Sequence, residues 1–133
     1  MEAFSRSIGP TVGTKVAKYP ECPQLELVRG LREHFDAGGI IVMLQDDQDP
    51  GLEFLIDGQW VSAPPKKDAI FANTSDQLEG LSNGRCRSAL HRVLAYKTGC
   101  RLSMAAFYNL ASDALISPAP KLLYPNSIDS KIT

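Results

Sequence analysis

An all-β sandwich or barrel, best drawn as a double-sheet jelly roll, is the fold class predicted for this 133-residue chain. Three observations predict it. Apolar runs of strand length recur at close spacing, glycine, proline and aspartate turn signals separate them, and no stretch sustains a helical hydrophobic period.

Residues 1–12 carry little pattern and read as an irregular N-terminal segment. Gly13 to Lys18 reads as a short strand, closed by Tyr19-Pro20 and Cys22-Pro23, where each proline pushes its predecessor out of the helical region. Leu25 to Leu31 reads as a helical turn or a loop leading into a strand that carries His34 and Asp36. Gly38-Gly39 is a permissive turn, and Ile40 to Leu44 is an unbroken apolar run that suggests burial on both faces. Gln45 and the acidic Asp46, Asp47 and Asp49 end that strand, and Pro50-Gly51 turns the chain.

Leu52 to Ile56 and Gln59 to Ser62, joined by Asp57-Gly58, form the clearest hairpin signal. Ala69 to Asn73 is a further short strand. Ser75 to Leu81 is a turn or a short helical piece, and Asn83-Gly84 is a second tight turn. Ser88 to Tyr96 is a β-like run holding His91, with Arg101 to Tyr108 as its expected partner after Thr98-Gly99. Pro118 and Pro120 then break regular structure, and Leu122-Leu123-Tyr124 is a last apolar patch. One domain results, a core over residues 13–125 followed by a polar tail over 126–133.

Composition narrows the function classes. A net charge of -1 without long like-charge runs advertises neither nucleic acid nor an anionic membrane. The first residues show no basic segment followed by an apolar run, and no stretch approaches the length of a membrane span, so neither secretion nor membrane insertion is expected. Three cysteines, Cys22, Cys86 and Cys100, make an odd count without metal-ligand spacing, which fits a reducing, cytoplasmic setting.

The chemistry concentrates at His34-Phe35-Asp36 and at His91, the only other histidine. On an extended strand, side chains two apart share a face, so His34 and Asp36 can offer an imidazole and a carboxylate to one point. If a later strand brings His91 there, two histidines and one carboxylate occupy one face of an ion and leave the other positions open. That is the ligand set of non-haem Fe(II) oxygenases. His-x-Asp alone is a weak motif, because nine aspartates make chance pairs common. Arg101-Leu102-Ser103 strengthens it: the same period of two puts a guanidinium and a hydroxyl on one face, as carboxylate binding needs.

The runs Gly13-Thr14-Lys15-Val16, Tyr19-Pro20-Glu21-Cys22-Pro23, Gly30-Leu31-Arg32-Glu33-His34, Asp36-Ala37-Gly38-Gly39-Ile40, Gln45-Asp46-Asp47, Asp76-Gln77-Leu78-Glu79, His91-Arg92-Val93 and Phe107-Tyr108-Asn109 resemble plant 1-aminocyclopropane-1-carboxylate (ACC) oxidase. The likeness runs from about Gly9 to Pro125. It reaches past the wider Fe(II)- and 2-oxoglutarate-dependent dioxygenases because Lys15 and Arg32 match positions that mark the ACC oxidase branch.

The resemblance implies a double-stranded β-helix, cupin-like and incomplete at both ends. It also implies an enzyme that turns ACC, dioxygen and ascorbate into ethylene, cyanide, carbon dioxide and dehydroascorbate, with bicarbonate as activator and without 2-oxoglutarate. Carried over by position, His34, Asp36 and His91 are the Fe(II) ligands, and Arg101 and Ser103 hold a small carboxylate. Lys15 and Arg32 face the site from its rim toward ascorbate or bicarbonate. The family's chains extend well beyond both ends of this likeness, so the sequence is expected to be a fragment or a truncated product.

Two departures stand out. Phe35 replaces the usual threonine and should point to the opposite face. Ser75 replaces a usual glycine, a risk if that turn needs a positive φ. Two other readings share the same residues: a 2-oxoglutarate-dependent oxygenase of plant secondary or hormone metabolism, and a non-catalytic jelly-roll piece.

Overall fold

The computed structural model describes residues 10–25, 27–46 and 50–123. Within them the chain forms β1 (Thr11–Tyr19), β2 (Leu31–His34), β3 (Ile40–Gln45), β4 (Leu52–Ile56), β5 (Gln59–Ser62), β6 (Phe71–Thr74), α1 (Asp76–Leu81), β7 (His91–Val93), β8 (Arg101–Asn109) and α2 (Pro120–Leu123). The strands make two four-stranded antiparallel sheets, ordered β1-β8-β3-β6 and β2-β7-β4-β5.

One pairing rule generates both sheets. β4 pairs with β5, β3 with β6, β2 with β7 and β1 with β8, so the chain is one long hairpin wound over itself, alternate rungs going to alternate sheets. Its tip is Asp57-Gly58, at φ 50° and 79°, the two positive values a tight hairpin turn requires. This winding is the jelly roll expected from the sequence.

Packing follows the alternation. Leu52, Phe54 and Val93 on the inner face of the second sheet form the core, against Tyr19, Leu31, Met43, Ala63, Phe71 and Ala89. The Phe54 and Phe71 rings stack across the gap at 5.4 Å. Burial of each large apolar side chain contributes about 1.5–3 kcal/mol, so these few residues clamp the sheets together.

Several elements depart from the sequence expectation. β1 begins at Thr11, inside the stretch read as irregular. β3 is buried on one face only: Ile41 is 3% exposed, while Ile40 and Leu44 are 41% and 46% exposed. Val12, Val16, Leu102, Met104 and Tyr108 on the same outer face of the first sheet are exposed as well, so a continuous apolar run here does not mean two-sided burial. Leu25 lies in a turn, where the Val28 N–H donates to its carbonyl. β7 is three residues long and pairs with β2 and β4, while β8 crosses to the other sheet and pairs with β1 and β3. The two runs are therefore not hairpin partners, because away from the β4–β5 tip the winding rule sends consecutive strands to opposite sheets. The Asp47 and Asp49 part of the acidic turn, Tyr124 and the polar tail over 126–133 lie outside the described residues.

Ser75 resolves differently from its expected risk. At φ -132° and ψ 179° its backbone is extended, a conformation open to any residue. The N–H groups of Ser75, Asp76 and Gln77 donate to the carbonyls of Gly39, Asp36 and Gly38 at 2.9–3.0 Å, tying the start of α1 to the loop after β2. The Ser75 hydroxyl, however, is fully buried, makes no helix-capping bond and has no hydrogen-bond partner among the described residues. Ser75→Ala removes an unpaid desolvation and should raise stability by about 1 kcal/mol, read as a higher urea midpoint at unchanged slope; a lower midpoint would show that the hydroxyl is satisfied after all.

Candidate metal centre

His34 ends β2 and His91 begins β7, and strand pairing sets them directly opposite each other. Their rings lie 4.2 Å apart between centroids. Asp36 joins them from a different element than expected: β2 stops at His34, so Asp36 sits in the loop beyond it. Two backbone ties, Asp76 N–H to the Asp36 carbonyl and Gln77 N–H to the Gly38 carbonyl, hold that loop. Gly39 contributes by its missing side chain, since a Cβ there would fall 2.9 Å from the Tyr108 carbonyl oxygen. The loop glycines serve close approach more than turning.

The histidines are oriented alike. His34 Nδ1–H donates to the Arg32 carbonyl at 2.8 Å, and His91 Nδ1–H donates to the Ala89 carbonyl at 3.0 Å. A carbonyl only accepts, so each ring carries a proton on Nδ1, and a neutral ring so held presents the Nε2 lone pair inward. Those lone pairs face the carboxylate, His34 Nε2 at 3.7 Å from Asp36 Oδ1 and His91 Nε2 at 3.4 Å from Oδ2. Both distances are too long for a hydrogen bond. Octahedral ligands about 2.1 Å from an ion are about 3 Å apart, which is close to what is seen.

Burial pulls the His91 pKa below its ordinary value, opposed by the Ala89 carbonyl and Asp36 and reinforced by His34. A neutral ring is the form that ligates. Three potential ligand atoms within 4.8 Å of one another, two imidazole nitrogens and a carboxylate oxygen, make a donor set that fits a divalent cation. Phe35, 52% exposed, points away from this cluster, as its place between His34 and Asp36 suggested.

The cluster lies in a cavity of about 410 Å³ between the sheets, which Lys15, Arg32, Arg101 and Ser103 also line. Every site residue singled out in the sequence thus meets one cavity. Arg101 is 2% exposed; its Nη1 donates to Ser103 Oγ at 3.1 Å and its Nη2 to Gln45 Oε1 at 2.7 Å. The Tyr19 ring lies 5.2 Å from the guanidinium carbon. Burial lowers the Arg101 pKa, with Tyr19 and then Asp46 pulling it back. Its Nε is buried without a partner among the described residues, a donor left open beside the cavity.

Tyr19 and Gln45 were missed by sequence reasoning as parts of this site. Register explains why they belong: Tyr19 pairs with Arg101 and Gln45 with Ser103. Only the strand pairing reveals that, and the sequence offers no local signal of it. Lys15 and Arg32 remain exposed at the rim.

A jelly roll with two histidines and a carboxylate at its mouth defines a class, and the chain belongs to the 2OG-Fe(II) oxygenase superfamily, whose family model matches residues 11–110. The chain is 68% identical over 127 residues to 1-aminocyclopropane-1-carboxylate oxidase 1 of Arabidopsis thaliana, covering 95% of this chain and 41% of that protein. It is 56% identical over 123 residues to 1-aminocyclopropane-1-carboxylate oxidase 1 of Oryza sativa subsp. japonica, covering 92% of this chain and 38% of that one. It therefore spans about two-fifths of the length of the curated relatives it matches. Among solved structures, JOX2 in complex with 2OG, Fe and JA superposes with a TM-score of 0.81 at 38% identity, over 86% of this chain and 34% of that chain. The rice dioxygenase for auxin oxidation gives 0.78 at 26% identity, over 86% and 40%. No described helix is long and apolar enough to cross a membrane.

Proposed function

We propose that this chain carries the catalytic jelly roll, residues 13–125, of an ACC oxidase, acting in the cytoplasm on ACC with dioxygen and ascorbate to release ethylene, cyanide and carbon dioxide. The observation that carries this reading is the 68% identity over nearly the whole chain to an ACC oxidase. The site chemistry agrees with it. His34, Asp36 and His91 hold Fe(II), which when bound supplies dioxygen activation and one-electron redox chemistry that side chains lack. Lone pairs already aimed inward by the Nδ1 bonds cost little reorganisation.

The remaining residues bind and orient. Arg101, braced by Ser103 and Gln45, offers fixed positive charge to a small carboxylate, the substrate's or bicarbonate. Lys15 and Arg32 hold anionic ascorbate or bicarbonate at the rim. Ile41, Phe54 and Val93 keep water from the reacting face and so strengthen every charge interaction inside it.

The likeness to JOX2 bound to 2OG favours a second reading, a 2-oxoglutarate-dependent oxygenase using the same Arg101 and Ser103. One experiment separates the two. The intact protein with Fe(II), ACC, ascorbate and bicarbonate is expected to release ethylene into the headspace, and to form no succinate when 2-oxoglutarate is added. Succinate without ethylene from an iron-loaded sample would replace the first reading with the second.

A further inference from the structure

We propose that Met43 is a site of self-oxidation: its thioether takes an oxygen atom from dioxygen used in the cavity, and the resulting sulfoxide then ties up Arg101. This rests on the proposed oxidase reading and adds a modification site to it. Met43 lies on the inner face of β3, between Ile41, which pairs with Phe107, and Gln45, which pairs with Ser103. It lines the same cavity as His34, Asp36, His91 and Arg101.

Both halves of the site are in reach of the sulfur. On one side Arg101 Nη2 stands 3.8 Å from Met43 Sδ, and the same nitrogen donates to Gln45 Oε1. On the other, Met43 packs against the cluster of Leu52, Phe54 and Val93, and the Phe54 ring stacks on His91 at 5.3 Å. Met43 thus stands between the anion-binding group and a proposed metal ligand.

Sulfur makes this position reactive. A thioether accepts an oxygen atom onto a lone pair with no bond of the side chain broken, whereas Tyr19, Phe54 and Phe107 must give up an O–H or C–H bond. No thiol and no second thioether lines the cavity among the described residues. In a cycle that finds no ACC, the O–O bond breaks, one oxygen atom bonds to Sδ and the other leaves as water. Sulfur gives two electrons, and ascorbate gives the other two with two protons and ends as dehydroascorbate.

The product changes what Arg101 can bind. A thioether is a weak acceptor, and the sulfoxide is a polar group on the same chain. Nη2 has two N–H groups, one of them given to Gln45. A sulfoxide oxygen beside it would hold the other and leave the guanidinium fewer donors for a carboxylate.

The test incubates the Fe(II)-loaded intact protein with dioxygen and ascorbate, without ACC, and maps methionine oxidation by peptide mass. Met104, 45% exposed on the outer face of the first sheet, is the internal control, because an oxidant free in solution meets it before the half-buried Met43. The expected result is a gain of one oxygen atom at Met43 ahead of Met104, suppressed when ACC is present. Peroxide added to metal-free protein should reverse that order. A side chain held in place offers the cavity one face of its sulfur, so the digested peptide should be repaired by one of the two epimer-specific methionine sulfoxide reductases and not by the other. The oxidised protein should show a KM for ACC about tenfold higher, as loss of one hydrogen bond to the carboxylate predicts, at unchanged Fe(II) affinity. Met43→Leu, which conserves volume, should lose activity more slowly than the parent during the same incubation, each measured against its own starting rate. Oxidation of Met104 first, an equal mixture of epimers, oxygen gained on Tyr19 in place of Met43, or a leucine variant that decays as fast as the parent would overturn the proposal. A parent protein that binds Fe(II) and makes no ethylene when ACC is supplied would instead overturn the reading on which it rests.

Discussion

Asp36→Ala is expected to lower Fe(II) affinity at least about 100-fold and to abolish ethylene formation by the intact protein. The carboxylate is the one acidic group between the two imidazole rings, and it stands 3.4 and 3.7 Å from their Nε2 atoms. Without it, a dication must be taken from water by two imidazoles alone. Loss of a group that merely supports a ligand costs 10–100-fold in metal affinity, so loss of the charged ligand should exceed that range. The fold should survive, because the bond that ties this loop to α1 uses the Asp36 backbone carbonyl, which alanine keeps. Competition for Fe(II) against a chromophoric chelator under argon reads the affinity, and a variant that binds iron as tightly as the parent would remove Asp36 from the ligand set.

The second large effect belongs to Arg101. Arg101→Met keeps volume and apolar packing, yet it removes the buried charge and leaves the Gln45 oxygen and the Ser103 hydroxyl facing an apolar chain. A charge-assisted hydrogen bond contributes about 1.5–3 kcal/mol, so kcat/KM for ACC should drop roughly 10- to 150-fold. Arg101→Lys should recover only part of this, because an ammonium restores a point charge without the planar fork that reaches two partners at once. Equal kcat/KM in the lysine variant would mean that charge alone matters, and equal kcat/KM in the methionine variant would mean that the carboxylate binds elsewhere.

Both expectations start from residues legible in the sequence, and the reason they are legible is local. His34 and Asp36 are two apart, as are Arg101 and Ser103, so each pair announces itself without knowledge of the fold. What could not be read is pairing across long separations. Tyr19 and Gln45 flank Arg101 because β1 and β3 lie on either side of β8, a fact written only in the register. The same blindness made β7 and β8 look like a hairpin, since adjacency in sequence is the default guess and the wound hairpin defeats it. The Asp57-Gly58 turn was read correctly because two positive φ values demand particular residues. Ile40 to Leu44 misled for a third reason: apolar composition reports what a face can tolerate, and burial depends on what the rest of the structure lays over it. The convergence of His34 and Asp36 was foreseen through a strand geometry that stops two residues too early to apply.

β2 is the edge strand of its sheet, four residues long, and it meets its single neighbour β7 in two registered pairs with an irregularity between them. So few ladder bonds hold an edge poorly against fraying. The pair nearest the strand's end is His34 with His91, the same two side chains that offer their nitrogens to an ion. A cation there would rivet the loosest strand to the body of the sheet, and the catalytic centre would double as the fastener of its own wall. Emptying it should speed deuterium uptake at the Arg32, Glu33 and His34 amides while leaving the β4–β5 hairpin as slow as before, so the protein would lose its grip on iron and its edge in one cooperative step.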